Sequence, residues 1–160
     1  MQAAKGFTLI ELMITLAVMG IILGIAIPSF SSMIRDNRIG SLSHELQGAI
    51  QLARSEAVKR RINVIICRRN TAGTDCENGT DWASGWLVRQ VGGDIIKVWD
   101  AASSITLAGP NAGVTFRPNG MTTASGNFTV TAAGCTGTQT RTIAVSATGT
   151  TQLTKTGCPT

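Results

Sequence analysis

Side chains that commonly carry out catalysis are scarce in this sequence. Its 160 residues include one histidine, His44, and no tyrosine. Ser-His-Asp and Cys-His catalysis both need an imidazole placed beside a nucleophile. Ser43-His44-Glu45 does not provide that arrangement, because consecutive residues of a helix point in different directions. The sequence also lacks a glycine-rich phosphate-binding loop. It therefore predicts no enzyme and no cofactor.

The four cysteines are the other candidates for chemistry: Cys67, Cys76, Cys135 and Cys158. Their spacings do not match the paired Cys-x-x-Cys motifs of zinc sites, and one histidine cannot supply the missing ligands. We therefore expect no metal site. In an oxidising compartment, four cysteines instead suggest two disulfides. Three pairings are possible, and we favour Cys67–Cys76 and Cys135–Cys158 because each closes a short local loop.

Basic side chains outnumber acidic ones. Fourteen Lys and Arg against nine Asp and Glu give a formal net charge of +5. The densest basic stretch is formed by Arg54, Lys59, Arg60, Arg61, Arg68 and Arg69. Such a cluster is typical of a solvated helix end, where cations also suit the helix dipole. The alternative is contact with nucleic-acid phosphates, although no aromatic residue lies inside the cluster to stack on bases.

A long apolar segment precedes these groups. Residues 12–27 carry no charge, and residues 7–30 are interrupted only by Glu11. A helix over residues 7–30 is about 36 Å long, enough to span a hydrocarbon core of about 30 Å. An ionisable residue inside such a segment costs roughly 2.5–3.5 kcal/mol and usually has a partner. We therefore expect a transmembrane helix in which Glu11 is paired; the alternative is that Glu11 lies near the membrane interface and extends its carboxylate to water.

The rest of the chain has two patterns. Residues 31–61 form an amphipathic helix, with apolar positions at Leu42, Leu46, Ala49, Ile50, Ala53, Ala57 and Val58. From residue 62 onwards, short Val-, Ile- and Thr-rich segments alternate with glycine-bearing turns, a pattern typical of antiparallel strands. These segments are residues 62–69, 85–91, 94–100, 104–108, 113–118, 127–133, 140–147 and 150–155. Their close spacing leaves no room for helical crossovers, so the fold class is α+β, with an antiparallel β domain on the helix.

Residues 5–12, KGFTLIEL, resemble the type III signal of type IV pilins and type II secretion pseudopilins. The resemblance implies that prepilin peptidase cuts between Gly6 and Phe7 and methylates the new amino terminus of Phe7. It also implies that Glu11 guides subunits into a filament, where its carboxylate can pair with the Phe7 amine of a neighbour. Pro28 matches a position that softens the helix in this family.

The β region is similar to that of the GspH/FimT type of minor pilins and pseudopilins. In that branch, a segment like Ala53–Ala57 leads into a strand with a cysteine, then a second cysteine, then a Trp-x-x-Gly-Trp element. Here Cys67, Cys76 and Trp82–Trp86 follow in that order. The segment GVTFRPNG and a closing strand at Arg141–Ser146 extend the match. We expect the tryptophans, including Trp99, to serve in packing.

The resemblance also implies a domain organisation and a location. Residues 1–6 are a leader peptide, residues 7–30 cross the bacterial inner membrane once, and residues 31–61 form the amphipathic helix. Residues 62–160 are a periplasmic β domain, which later lies in a pilus filament on the cell surface. The implied partners are prepilin peptidase and other pilin and minor pilin subunits.

Three functions follow from this resemblance. The first is a minor subunit of a type IV pilus that primes assembly near the tip, and the second is a type II secretion pseudopilin. The third is a DNA-binding minor pilin in DNA uptake. Such members carry a basic Gly-Arg-x-Arg loop near the C-terminus, where this chain has Gly149-Thr150-Thr151-Gln152 without arginine. The nearby cations, and candidate DNA contacts, are Arg117, Arg141 and Lys155.

Overall fold

A computed structural model describes residues 6–100 and 102–159, in which one long helix is followed by eight strands. Helix α1 spans Leu9–Arg60. The strands are β1 (Val64–Arg68), β2 (Trp86–Gln90), β3 (Ile95–Trp99), β4 (Thr106–Ala108), β5 (Val114–Phe116), β6 (Gly126–Thr131), β7 (Thr140–Val145) and β8 (Thr151–Thr156). Each strand falls within a segment predicted from the sequence, apart from one residue at an end of β6 and of β8. The α+β class is confirmed.

The chain divides into two compact units, Met1–Ile34 and Arg35–Thr160. In the first, the described residues enter α1 at Leu9 and remain helical through Pro28. Large apolar side chains of this unit are solvent-exposed, among them Ile21, which is 66% exposed. Across the described residues, no helix has both the length and the apolar character required to cross a membrane. Residues 1–5 of the expected leader lie outside the described part of the chain.

In the second unit, one face of α1 is buried against the sheets. Leu46, Ile50, Ala53 and Ala57 are fully buried, as the apolar spacing predicts. The prediction for Val58 is wrong, because its side chain is 48% exposed. One helical position turns a side chain by about 100°, which takes residue 58 off the stripe that ends at Ala57.

The helix ends in a Schellman-type turn. The backbone N–H of Ile62 donates to the carbonyl of Ala57 at 3.3 Å. Arg61 occupies the left-handed position of this motif with φ of 55°. Glycine is the usual residue there because other residues are strained in that conformation. The turn reverses the chain into β1.

Two antiparallel sheets cover the helix face. The first has the order β3-β2-β1-β5 and the second β4-β6-β7-β8. Their shared core includes Trp82, whose ring lies edge-on to Phe128 at 4.9 Å between centroids. Its backbone N–H donates to the carbonyl of Leu107 in β4 at 2.7 Å, and its indole Nε1 donates to the carbonyl of Pro110 at 3.2 Å. Trp82 therefore ties the loop before β2 to the second sheet.

Two disulfides fix the chain locally, with the pairing favoured from the sequence. Cys67 in β1 is joined to Cys76, with their Cα atoms 5.6 Å apart. Cys135 is joined to Cys158 just after β8, with Cα atoms 5.8 Å apart. The second bond ties the end of β8 to the turn before β7. Each closes a short loop and restricts the unfolded chain.

Candidate functional site

The segment that resembles the processing signal contains a capped helix start. Oε2 of Glu11 accepts hydrogen bonds from the backbone N–H of Thr8 at 2.9 Å and from Thr8 Oγ1 at 2.8 Å. In return, the backbone N–H of Glu11 donates to Thr8 Oγ1 at 3.3 Å. This reciprocal arrangement is a capping box, for which Thr-x-x-Glu is the sequence signature. Our sequence reasoning missed that signature, because it considered Glu11 only as a charge in an apolar segment.

The capping box leaves one oxygen of Glu11 free for another partner. Both bonds from Thr8 reach Oε2, and within the described residues Oε1 accepts none. The carboxylate lies in the first turn of α1, where the helix dipole stabilises a negative charge. The cap therefore holds the carboxylate in a fixed position and leaves Oε1 able to meet a cation from outside the chain.

The peptide bond between Gly6 and Phe7 lies before the helix. Both residues are exposed and non-helical, and Phe7 is 83% exposed. A peptidase needs access to the backbone around the bond that it cuts, and the described residues 6–8 form no secondary structure that would have to open. The bond, the threonine cap and Glu11 thus lie within six residues of one another in the sequence.

Most of the cluster at residues 54–69 is engaged within the protein. Arg60 pairs with Glu56 one helical turn earlier, Arg68 with Glu77 at 3.3 Å and Arg69 with Asp100 at 3.2 Å. Arg54 donates to the carbonyls of Gly120 and Thr148 at 3.1 and 3.2 Å. Lys59 and Arg61 are exposed and have no ion pair in the described part of the chain. The cluster is therefore mainly a structural feature that fastens loops to α1 and β1.

The three candidate DNA contacts do not form one surface. Arg141 is 5% exposed, so it is removed from the candidates. Its Nη2 donates to Asp36 Oδ1 at 2.5 Å, and its Nη1 donates to the carbonyls of Thr138 and Gln139. Lys155 is exposed and lies opposite Arg141 in the β7–β8 ladder. Arg117 is exposed in the turn after β5, which belongs to the other sheet.

The loop at the position of the family's DNA-binding loop is held by hydroxyl groups. Ser146 Oγ lies 2.8 Å from Thr148 Oγ1 and 2.7 Å from Thr150 Oγ1. Gly149 takes a positive φ of 76° at the centre of this turn. The hydroxyls bond to each other, and the charged group that reaches the loop is Arg54, through the Thr148 carbonyl. DNA binding by Arg117 and Lys155 stays a prediction.

His44 is exposed on α1, where the sequence placed it. Among the described residues, no group of three or more His, Cys, Asp or Glu side chains is arranged to hold a metal. The four cysteines are all used in disulfides.

A capped apolar helix that continues into an antiparallel β unit defines a pilin-like class of proteins. Residues 42–149 match the family described as Type II transport protein GspH, and the chain belongs to this family. Residues 1–27 match the prokaryotic N-terminal methylation motif. The chain is thus a type IV pilin, a minor pilin or a GspH-like pseudopilin, and its family and fold are those of structural subunits.

Solved structures and a curated relative agree with this class. The chain is similar to the type IV minor pilin FimU of Pseudomonas aeruginosa strain PAO1, with 26% identity and a TM-score of 0.58, over 74% of this chain and 89% of that one. A second crystal form of FimU gives 25% identity and a TM-score of 0.56, over 72% and 91%. The type IV major alpha-pilin of Moraxella bovis is 48% identical over 46 residues, which is 29% of each chain.

Proposed function

We propose that this chain is a minor subunit of a type IV pilus. Residues 7–30 hold it in the inner membrane, with residues 62–160 in the periplasm. Prepilin peptidase removes residues 1–6, and the mature chain joins other minor subunits in priming filament assembly near the tip. The observation that carries the proposal is the combination of a capped Glu11 with a free Oε1 and a β unit similar to FimU.

The arrangement at Glu11 supports a role in assembly. After cleavage, Phe7 would carry a cationic amine four residues before Glu11. Thr8 holds the Glu11 carboxylate through Oε2, which leaves Oε1 for the amine of a neighbouring subunit. A charge-assisted hydrogen bond of this kind is strong where water is excluded. It would offset the cost of placing Glu11 among apolar helices.

Two variants separate the pairing role of Glu11 from its capping role. Glu11→Gln keeps an N3 side chain that can complete the capping box but removes the charge. Thr8→Val removes the hydroxyl that caps the Glu11 N–H, and it keeps both the backbone bond to Oε2 and the charge. We expect Glu11→Gln to be inserted and cleaved normally but to be depleted in sheared filaments, whereas Thr8→Val is recovered near the wild-type level. Recovery of Glu11→Gln at the wild-type level, with Thr8→Val depleted, would instead assign Glu11 a capping role alone.

Gene deletion tests the wider function in a single strain. Piliation, twitching motility, protein secretion and transformation are scored together, with the wild-type gene restored as the control. Loss of pili and of twitching, with secretion intact, is the expected result. Transformation lost while pili remain would point to DNA uptake.

A type II secretion pseudopilin is the second candidate. It is favoured by the family match over residues 42–149, which carries the description of a type II transport protein. The same N-terminal chemistry would serve either filament, because both use the helix for assembly. In the deletion strain, lost secretion with pili intact would select this candidate over the pilus subunit.

A further inference from the structure

A groove runs along the edge of the second sheet, between α1 and β8. Its volume is about 470 Å³, and its walls include Asp36, Gly40 and His44 of α1 and Leu153 and Lys155 of β8.

Further along the same two elements, hydrogen bonds connect α1 to β8. Gln51 Nε2 and Gln47 Nε2 donate to Thr151 Oγ1 at 2.7 and 3.3 Å. The Arg141–Asp36 ion pair lies at the groove as well. All of these residues belong to the unit Arg35–Thr160.

The β8 side of the groove is a sheet edge. Among the described residues, β8 has one strand partner, β7, paired from Thr151 to Thr156. The other edge of β8 therefore offers backbone N–H and carbonyl groups that no strand uses. An exposed edge of this kind is a template for strand addition by an extended peptide.

The α1 side of the groove has room for a ligand. Gly40 lies in the wall, and a Cβ placed on it would meet no heavy atom within 4 Å. Glycine is costly within a helix, by up to about 1 kcal/mol relative to alanine. Here it leaves the groove open at the level of Leu153 and Lys155.

Of the charged side chains in the groove wall, Asp36 is paired with Arg141, whereas Lys155 has no ion pair within the described residues. Asp36 is the one acidic residue of the groove wall, and Oδ1 of Asp36 is bound by Arg141. Lys155 lies opposite Arg141 in the ladder, so the two side chains share a sheet face. Lys155 is exposed and has no ion pair within the described residues. The groove thus presents an unneutralised cation to a ligand lying along β8.

We propose that this groove binds an extended acidic segment of a neighbouring filament subunit. The segment adds to the free edge of β8 as a fifth strand, and one of its carboxylates pairs with Lys155. This inference rests on the proposed function, because the filament supplies the neighbour. A peptide is favoured over a lipid headgroup or DNA phosphate because the cation lies beside unpaired strand groups that a peptide backbone can satisfy.

Photocrosslinking in intact cells tests the proposal. The residue p-benzoyl-phenylalanine replaces Asn37, an exposed residue of the groove wall, and replaces Ser55 on the same helix as the control. We expect a crosslink from position 37, but not from position 55, to another pilin-type subunit at an acidic segment. A crosslink from position 37 to lipid or DNA, or no excess over position 55, would overturn the proposal.

Gly40→Leu and Gly48→Leu form a matched pair of blocking variants. Both glycines lie in α1, and both have open space at a Cβ, but Gly48 is outside the groove wall. Both substitutions should raise the melting temperature, because leucine is a better helix former. Only Gly40→Leu should abolish the crosslink from position 37. A crosslink from position 37 that persists in folded Gly40→Leu would refute binding of the segment in this groove.

Charge variants at Lys155 test the ion pair. Lys155→Glu should reduce the crosslink about tenfold, as expected for losing one charge-assisted hydrogen bond. Lys155→Arg should retain it, and Lys59→Glu on exposed α1 should have no effect. An unchanged crosslink in Lys155→Glu would contradict the proposal. Recovery of the chain in sheared filaments is scored beside the crosslink: a chain that enters filaments without a crosslink from position 37 refutes the groove alone, whereas a chain absent from filaments refutes the proposed function.

Discussion

Side chains of one type have opposite environments in the two units of this chain. Ile21 in the first unit is 66% exposed, whereas Ile50, on the same helix but in the second unit, is fully buried. The second unit is held by its own core and disulfides. The first exposes large apolar side chains such as Phe7, Ile21 and Phe30, and exposed apolar patches are typical of contact with membranes or other proteins. The second unit is therefore stabilised by its own packing, whereas the described residues of the first contribute no side chain to that core.

The largest effect that follows from this comparison concerns the core. Ile50→Ala removes a fully buried side chain and should lower the free energy of unfolding by about 2–5 kcal/mol. Ile21→Ala makes the same chemical change at an exposed position and should leave unfolding of the second unit unchanged. Chemical denaturation of the full chain in detergent, monitored by tryptophan fluorescence, measures the free energy of unfolding of both variants. A similar loss of unfolding free energy in both variants would show that the two units do not differ in how they are stabilised.

The ion pair between buried Arg141 and half-buried Asp36 should give the next largest effect. Arg141→Leu removes the partner of Asp36 and the three hydrogen bonds that Nη1 donates to backbone carbonyls, at a cost of about 2–4 kcal/mol. Arg68→Leu is the matched control, since Arg68 also donates to a backbone carbonyl, that of Asn78, and to Ser84 Oγ, but its partner Glu77 is half exposed and such pairs contribute about 0–1 kcal/mol. The same denaturation assay applies. A loss at Arg141 no larger than at Arg68 would show that the pair does not hold β7 to α1.

A smaller effect, of opposite sign, is expected at the end of α1. Arg61→Gly relieves the left-handed backbone at φ 55° and should stabilise the second unit by about 0.5–1 kcal/mol. Arg61→Ala loses the same charge but keeps the strained backbone, so it controls for electrostatics. A gain in both variants would assign the effect to charge instead of backbone conformation.

The smallest effect is expected for the affinity of the chain for duplex DNA when exposed cations are neutralised. Since Arg141 is buried and Arg117 and Lys155 lie on different sheets, we expect duplex affinity within the non-specific range of about 10⁻⁴–10⁻⁶ M at physiological salt. Arg117→Gln and Lys155→Gln should each change it little. Fluorescence anisotropy over a salt series measures the affinity. Submicromolar binding abolished by either substitution would make DNA a specific partner.

Most of the fold was predictable because its signals are local. Period-two Val, Ile and Thr segments mark all eight strands, and the three-to-four-residue spacing of Leu46, Ile50 and Ala53 marks the buried face of α1. The prediction that Val58 is buried is wrong because the buried face of α1 ends at Ala57, shortly before the helix ends and the chain turns at Arg61. The Thr8–Glu11 cap has a local signature that was available and was overlooked.

The surface sites were less predictable because they depend on contacts between distant residues. The sequence predicts an exposed cation at Arg141. Its side chain is buried because it pairs with Asp36, which lies 105 positions earlier in the chain. The groove between α1 and β8 likewise joins Gly40 to Lys155 through tertiary packing alone. No periodicity in either segment indicates that the two will meet.

The proposed function requires that the chain is cut between Gly6 and Phe7 and enters a filament through its N-terminal helix. Mass spectrometry of this chain from sheared filaments tests this requirement directly, with Gly6→Val as the uncleavable control. We expect a mature chain that begins at N-methylated Phe7, and retention of Gly6→Val in the membrane as precursor. A filament-associated chain that still carries residues 1–6, or normal cleavage of Gly6→Val, would contradict it.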